Sequence, residues 1–213
     1  MEGLKRYLLG NYEEDIVGIR NLFYRKGYKF FDGQFNINLI GIRTHERAID
    51  KFSDMFLMIY RDHLNNWQIE RAIGTTVPGR FYHYHHTNPK GVGIIVPGQY
   101  RGAFTPGKHK GADALIQNST FKVYRDSDKD GKIDKEVIED ASPSCRFDFH
   151  NAKSTVKPGK IFLENIGKFS AGCQVLANWV QYEEWLAIIK YSMRIYKCNT
   201  VTYTLLDEED LVE

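Results

Sequence analysis

Hydrophobic residues recur at two different periods along this chain, and the change of period divides it into regions. Between Glu13 and Gly27, residues Ile16, Ile19, Leu22 and Phe23 fall at helical spacing, with acidic residues ahead of them and Arg25-Lys26-Gly27 behind, which predicts an amphipathic helix. From Phe35 the period shortens to two. Phe35, Ile37 and Leu39 share one face of a strand, and "MFLMIYRDHLNNWQIERAI" reads as strand, Asn-rich turn, strand. Gly and Pro then punctuate short apolar runs through "TTVPG", "GVGIIVPGQY" and "TPGKHKGADALIQ", a pattern that suits sheet and loop and excludes long helices. "TFKVYRD" and "CRFDFH" read as strands on either side of an Asp-rich turn. Beyond Asn178 the spacing returns to three and four, which predicts a helix of about five turns. Its stripe of Trp185, Ile188, Ile189 and Met193 faces a core, and "NTVTYTLL" supplies a last strand before an acidic tail.

Composition adds bounds to this outline. A chain of 213 residues suits one large domain with a modest extension, and 42% hydrophobic residues can fill its core. The formal charge of +2, without a basic stripe, speaks against a dedicated nucleic-acid binder. No run reaches the roughly 20 apolar residues of a membrane span, and the N-terminal residues lack the pattern of a secretory signal, so the expected site of synthesis is the cytosol. Three cysteines, at 145, 173 and 198, cannot all pair within one chain, which leaves at least one free thiol.

The stretch Ser170-Ala171-Gly172-Cys173 carries the sharpest chemical signal. A catalytic cysteine needs a thiolate, a base within hydrogen-bond reach and donors for the oxyanion that forms on the attacked carbonyl. Ala171 and Gly172 are small enough to admit a carbonyl group, the N–H groups around Gly172 and Cys173 are candidate oxyanion donors, and His150 ends a strand-like segment upstream. The alternative is a buried structural sulfur, because free cysteine is among the most buried residue types. Cys145 and Cys198 read as structural thiols.

His150-Asn151-Ala152, seventeen further residues and then Ser170-Ala171-Gly172-Cys173 resemble the signature of the L,D-transpeptidase (YkuD-type) catalytic domain, in which a histidine is followed after a comparable interval by Ser/Thr-His-Gly-Cys. Upstream, "WQIERAIGTTVPGRF" is loosely similar to the strand and loop ahead of that signature, so the resemblance spans roughly residues 35–178. Two positions depart from it: Ala171 stands where the family has a second histidine, and Val175 where Arg or Asn often follows the cysteine. The resemblance implies a β-sandwich; together with the periodicity it gives a β-rich α+β fold with an N-terminal helical extension over residues 1–33 and a catalytic domain over residues 34–213 that includes the C-terminal helix and strand. It implies Cys173 as nucleophile, His150 as general base, Ser170 and Gly172 as supporting groups, no required cofactor, and a peptidoglycan stem peptide as substrate. The thioester on Cys173 would pass to an amine or to water. A chain without a signal peptide would meet the cell wall by a phage lysis or virion route. The competing class is a non-catalytic structural or wall-binding protein of the same fold, which Ala171 favours.

Three further groups are candidates. Asp126, Asp128, Asp130, Gly131 and Asp134 of "RDSDKDGKID" fall at the oxygen-ligand positions of an EF-hand-like loop and suit a structural Ca²⁺, although Val137 stands where the bidentate Glu belongs. "RFYHYHH", read as a strand, places His83 and His85 on one face and His86 on the other. Arg101, Lys108, His109 and Lys110 offer cations or donors to a substrate carboxylate, with Arg101 and His109 the leading substrate-binding candidates.

Overall fold

A computed structural model describes residues 12–45, 50–130, 133–152 and 164–211. Among the described residues, eleven strands follow in chain order: β1 Asn38–Arg43, β2 Asp54–Arg61, β3 Trp67–Thr75, β4 Gly93–Ile95, β5 Gly98–His109, β6 Ala112–Gln117, β7 Phe121–Arg125, β8 Asp134–Ala141, β9 Phe149–Asn151, β10 Gln174–Leu176 and β11 Val201–Asp207. Eight of them close into a barrel in the order β1-β11-β5-β6-β9-β10-β3-β2, and β4-β7-β8 form a separate three-stranded sheet. The β-sandwich expected from the family resemblance is therefore corrected to a closed barrel. The reason lies in pairings between strands far apart in sequence: β1 runs parallel to β11, with Leu39 opposite Tyr203, and joins the two ends of the sheet. Alternating apolar residues line the inside of a sandwich and of a barrel alike, so the period cannot tell them apart.

Strand β2 shows why the barrel is apolar on both faces in this region. Phe56 and Met58 join the main core with Leu39, Phe104, Phe149 and Tyr203. Met55, Leu57 and Ile59 point the other way and pack with Ile40, Ile42 and the N-terminal helix, Tyr12–Arg25. That helix buries the four residues its periodicity picked out, Ile16, Ile19, Leu22 and Phe23, each at 3% exposure or less. Burying such a side chain contributes roughly 1.5–3 kcal/mol, so the helix is held to the barrel by a core of its own. Its C-terminus closes as a Schellman motif: Tyr28 N–H donates to Phe23 O at 2.8 Å and Gly27 N–H to Tyr24 O at 3.1 Å, with Gly27 at φ +68°.

The C-terminal helix, Trp179–Ile195, starts on Asn178, whose side chain accepts from Val180 N–H and Gln181 N–H. It places Tyr182, Trp185, Leu186, Ile189 and Met193 in the main core. Tyr182 OH ties it to the barrel by donating to Phe149 O at 2.8 Å and accepting from Leu115 N–H at 3.2 Å. Among the described residues no helix is long and apolar enough to cross a membrane. "RFYHYHH" is not a strand: Arg80–Tyr84 form a short helix, so the expected alternation of His83 and His85 does not apply. "CRFDFH" contributes only β9 at its end, and the strand that pairs with β7 across the Asp-rich turn is β8.

Candidate functional site: a cysteine beside two stacked histidines

Strands β9 and β10 run side by side in parallel, with Val175 opposite His150 and Gln174 opposite Phe149. The residues that lead into them, Asp148 and Cys173, thereby meet at one end of the pair, and Gln174 N–H donates to Asp148 O at 2.9 Å. The β5–β6 hairpin brings in a third element. Its turn residues Lys110 (φ +47°) and Gly111 (φ +87°) both take the positive φ that a two-residue hairpin turn requires, and His109 stands at the end of β5 just before them.

The result is a compact cluster. A ring nitrogen of His109, a ring nitrogen of His150 and the Cys173 sulfur all lie within 4.8 Å of one another. The two rings stack with centroids 4.2 Å apart and 12° between planes. His150 Nδ1 donates to Asn151 O at 2.8 Å, and Nε2 of the same ring is buried without a hydrogen-bond partner. His109 Nδ1 lies 2.8 Å from Asp148 Oδ2. Both Nδ1 atoms face groups that only accept, so each carries the proton and each ring keeps a basic Nε2. The Cys173 thiol donates to Arg146 O at 3.4 Å and makes no hydrogen bond to either ring.

Asp148 organises this corner. Fully buried, it accepts from His109, from Arg146 Nη2 at 2.8 Å and from Gln117 N–H at 3.0 Å. Burial pushes its carboxyl upward, but the hydrogen bonds from His109, Arg146 and Gln117 prevail and hold it below the ordinary carboxylate range. Burial, reinforced by neighbouring His109, pushes His150 down to about 4. Burial, reinforced by the Asp148 charge, pushes the Cys173 thiol up to about 12. The resting site is therefore a neutral thiol beside a neutral His150.

Ser170 and Gly172 shape the turn that presents the cysteine. Ser170 Oγ donates to Cys173 O at 2.8 Å and accepts from Gly172 N–H at 3.1 Å. The Gly172 N–H is thus held by Ser170 Oγ within the turn that leads to Cys173. Gly172 sits at φ +131°, and a Cβ there would meet Gly93 O of β4 at 2.6 Å and the Phe147 ring at 2.7 Å. Only glycine fits.

The remaining candidates separate. His109 is in the site. Arg101 is not: it lies at the other end of β5, over the Phe31 ring at 5.3 Å. A cleft of about 380 Å³ opens between the β5–β6 hairpin (Lys108, Asp113), Asn151 and the C-terminal helix (Glu183, Lys190); it is lined by the sequence neighbours of His109 and His150 and not by those rings or by Cys173. Lys108 and Lys190 both pair with Asp113 there. Carboxylate oxygens of Asp126, Asp128 and Asp130 lie within 4.8 Å of one another, whereas Asp134 Oδ2 accepts from Ser127 N–H at 2.9 Å. Gly131 lies outside the described residues. His83 Nδ1 is 3.9 Å from Asp126 Oδ2.

The donors His109, His150 and Cys173 also form a soft-metal ligand set by type. Their geometry does not fit one, because a bound ion must lie in the plane of each imidazole and two rings stacked nearly parallel cannot share such a point. Asp148 is the residue the motif did not point to. Its signal was present in "RFDFH", where Asp148 and His150 alternate with Phe147 and Phe149 and so share one face of an extended segment.

Fold and site together define a closed-barrel β protein with a buried cluster of one thiol and two imidazoles. No family model, no curated protein and no solved structure matches the chain.

Proposed function

We propose that this protein is a cysteine-dependent acyl-transfer enzyme of the L,D-transpeptidase kind, acting on the peptide stems of peptidoglycan. The observation that carries this reading is the convergence of Cys173 with His150, the two most specific residues of the sequence signature, at neighbouring ends of paired strands. The proton of the Cys173 thiol passes to an imidazole as the sulfur attacks the amide carbonyl carbon. The C–N bond then breaks, the amine leaves with that proton, and water or a second amine opens the thioester to restore the thiol. The cleft beside Asn151 carries charges of both signs, which suits a stem peptide bearing amines and carboxylates.

The test is incubation of the purified chain with stem peptides and with isolated cell-wall sacculi, followed by intact-protein mass spectrometry. A thioester adduct on the unmodified chain, absent from Cys173→Ala, supports the proposal. Product formation by Cys173→Ala overturns it.

A second reading, a non-catalytic wall-binding or structural protein, is favoured by one specific observation: Cys173 is only 7% exposed and His150 only 6%. Binding to sacculi without adduct or product, and undiminished in Cys173→Ala, is the outcome that selects it.

A further inference from the structure

The geometry points to His109, held by Asp148, as the histidine that takes the Cys173 proton, in place of the motif histidine His150. This rests on the thiol chemistry proposed above and assigns the proton within it. The two rings differ in what each can do once protonated. An imidazolium at His109 faces the Asp148 carboxylate at 2.8 Å through Nδ1, so its charge has a partner. An imidazolium at His150 would have the Asn151 carbonyl on Nδ1 and the Asp148 charge only at a distance, in a site nearly closed to water. Charging a buried group without a counterion is costly, whereas a carboxylate in contact offsets that cost.

The arrangement is that of an acid–imidazole–nucleophile relay assembled from three separate elements: Asp148 before β9, His109 at the end of β5 and Cys173 before β10. Asp148 fixes the His109 tautomer with Nδ1 protonated, so Nε2 keeps the lone pair that accepts a proton. In the resting chain the thiol is turned to Arg146 O, and reaction requires it to rotate toward the rings. His150, stacked on His109, then limits the ring's orientation, and its neutrality avoids placing two positive charges face to face. The other charged groups around His109 are Arg146, which shares Asp148, and Lys108 and Lys110 on either side of it in the hairpin. All three are cations, and the hairpin's own carboxylate, Asp113, pairs with Lys108 and Lys190, so Asp148 is the carboxylate in contact with His109. The family signature supplies its second histidine next to the cysteine. Here that place is Ala171, and the structure brings a second imidazole from another strand.

Two measurements on the full chain test this, both in a Cys145→Ser/Cys198→Ser background so that Cys173 is the sole thiol. The first follows the imidazole resonances of ¹⁵N-labelled histidine with pH. His109 is expected to hold its proton on Nδ1, and Asp148→Asn is expected to release that tautomer preference. A His109 proton on Nε2 in the unmodified chain leaves that nitrogen no lone pair to accept the thiol proton and overturns the inference. The second is the rate of Cys173 alkylation by iodoacetamide across pH, in which sulfur displaces iodide from carbon and the thiol proton goes to the imidazole. His109→Gln is expected to lower the rate at neutral pH by at least about tenfold and to flatten its pH profile, with His150→Gln changing it less, in line with the contribution of a positioned base. A larger loss in His150→Gln than in His109→Gln overturns the inference, and a purely packing role for His109 would leave the profile's shape unchanged. Neither measurement uses peptidoglycan, so failure to process stem peptides with both patterns intact would count against the substrate alone.

Discussion

Replacing Gly172 with alanine is expected to destabilise the protein heavily, and the structure supplies the magnitude. At φ +131° any residue with a Cβ is strained, by roughly 1–3 kcal/mol. The new methyl group would also lie 2.6 Å from Gly93 O and 2.7 Å from the Phe147 ring. A backbone carbonyl in β4 cannot move aside as a flexible side chain would, and overpacking of this kind costs roughly another 1–3 kcal/mol. The sum, about 2–6 kcal/mol, is a large share of the roughly 5–15 kcal/mol that stabilises a typical domain. For a chain of this size it corresponds to a fall in melting temperature of roughly 5–20 °C. Gly111→Ala is the matched control: it shares a positive φ of +87° but has nothing within 4 Å of the added atom, so strain alone remains. Thermal unfolding followed by circular dichroism compares the two. Equal melting shifts for both, or no shift for Gly172→Ala, would refute the claim that close contact with β4 and Phe147 shapes the cysteine turn.

In the unmodified protein, exposed Cys145 and Cys198 are expected to alkylate well before buried Cys173, the reverse of what a thiolate-activated Cys173 implies from sequence, and peptide mapping after timed labelling reads the order. His150 is held down near 4 in the folded chain against an ordinary value near 6.5, so the stability it contributes is complete above about pH 6.5 and is lost as pH falls toward 4. That loss is roughly 3 kcal/mol; urea melts at stepped pH should show a shallower decline in His150→Gln, and an unchanged slope would contradict the burial argument. Ile19→Ala, which empties a fully buried position under the N-terminal helix, should cost about 2–5 kcal/mol, and a loss below about 1 kcal/mol would mean that the helix is only loosely docked. Calcium bound by Asp126, Asp128 and Asp130 should raise the melting temperature at millimolar concentration and lose that effect in Asp128→Asn, whereas identical melting with and without the ion makes the turn a solvated acidic loop.

Periodicity alone located the two long helices and the β2–β3 hairpin, because a helix or a two-stranded hairpin is specified by residues near one another in the chain. Cys173, His150, Ser170 and Gly172 stand out through residue type and through the resemblance of their spacing to a known signature, both of which are legible along the chain. Closure of the barrel was beyond it: the β1–β11 pairing joins Leu39 to Tyr203, and inward-facing apolar residues satisfy a sandwich as well as a barrel. The alternation in "RFYHYHH" suits a strand, whereas Arg80–Tyr84 pack as a short helix. The decisive contacts of the site were also non-local. His109 reaches Asp148 across 39 positions of sequence, and it meets Cys173 only because β6 pairs with β9 and β9 with β10. Burial then reversed the expected protonation of the pair, raising the thiol and lowering His150, an effect of the surrounding dielectric that no motif encodes. The residue types that can do chemistry were written in the chain, but which imidazole has a counterion was decided by the packing of three strands.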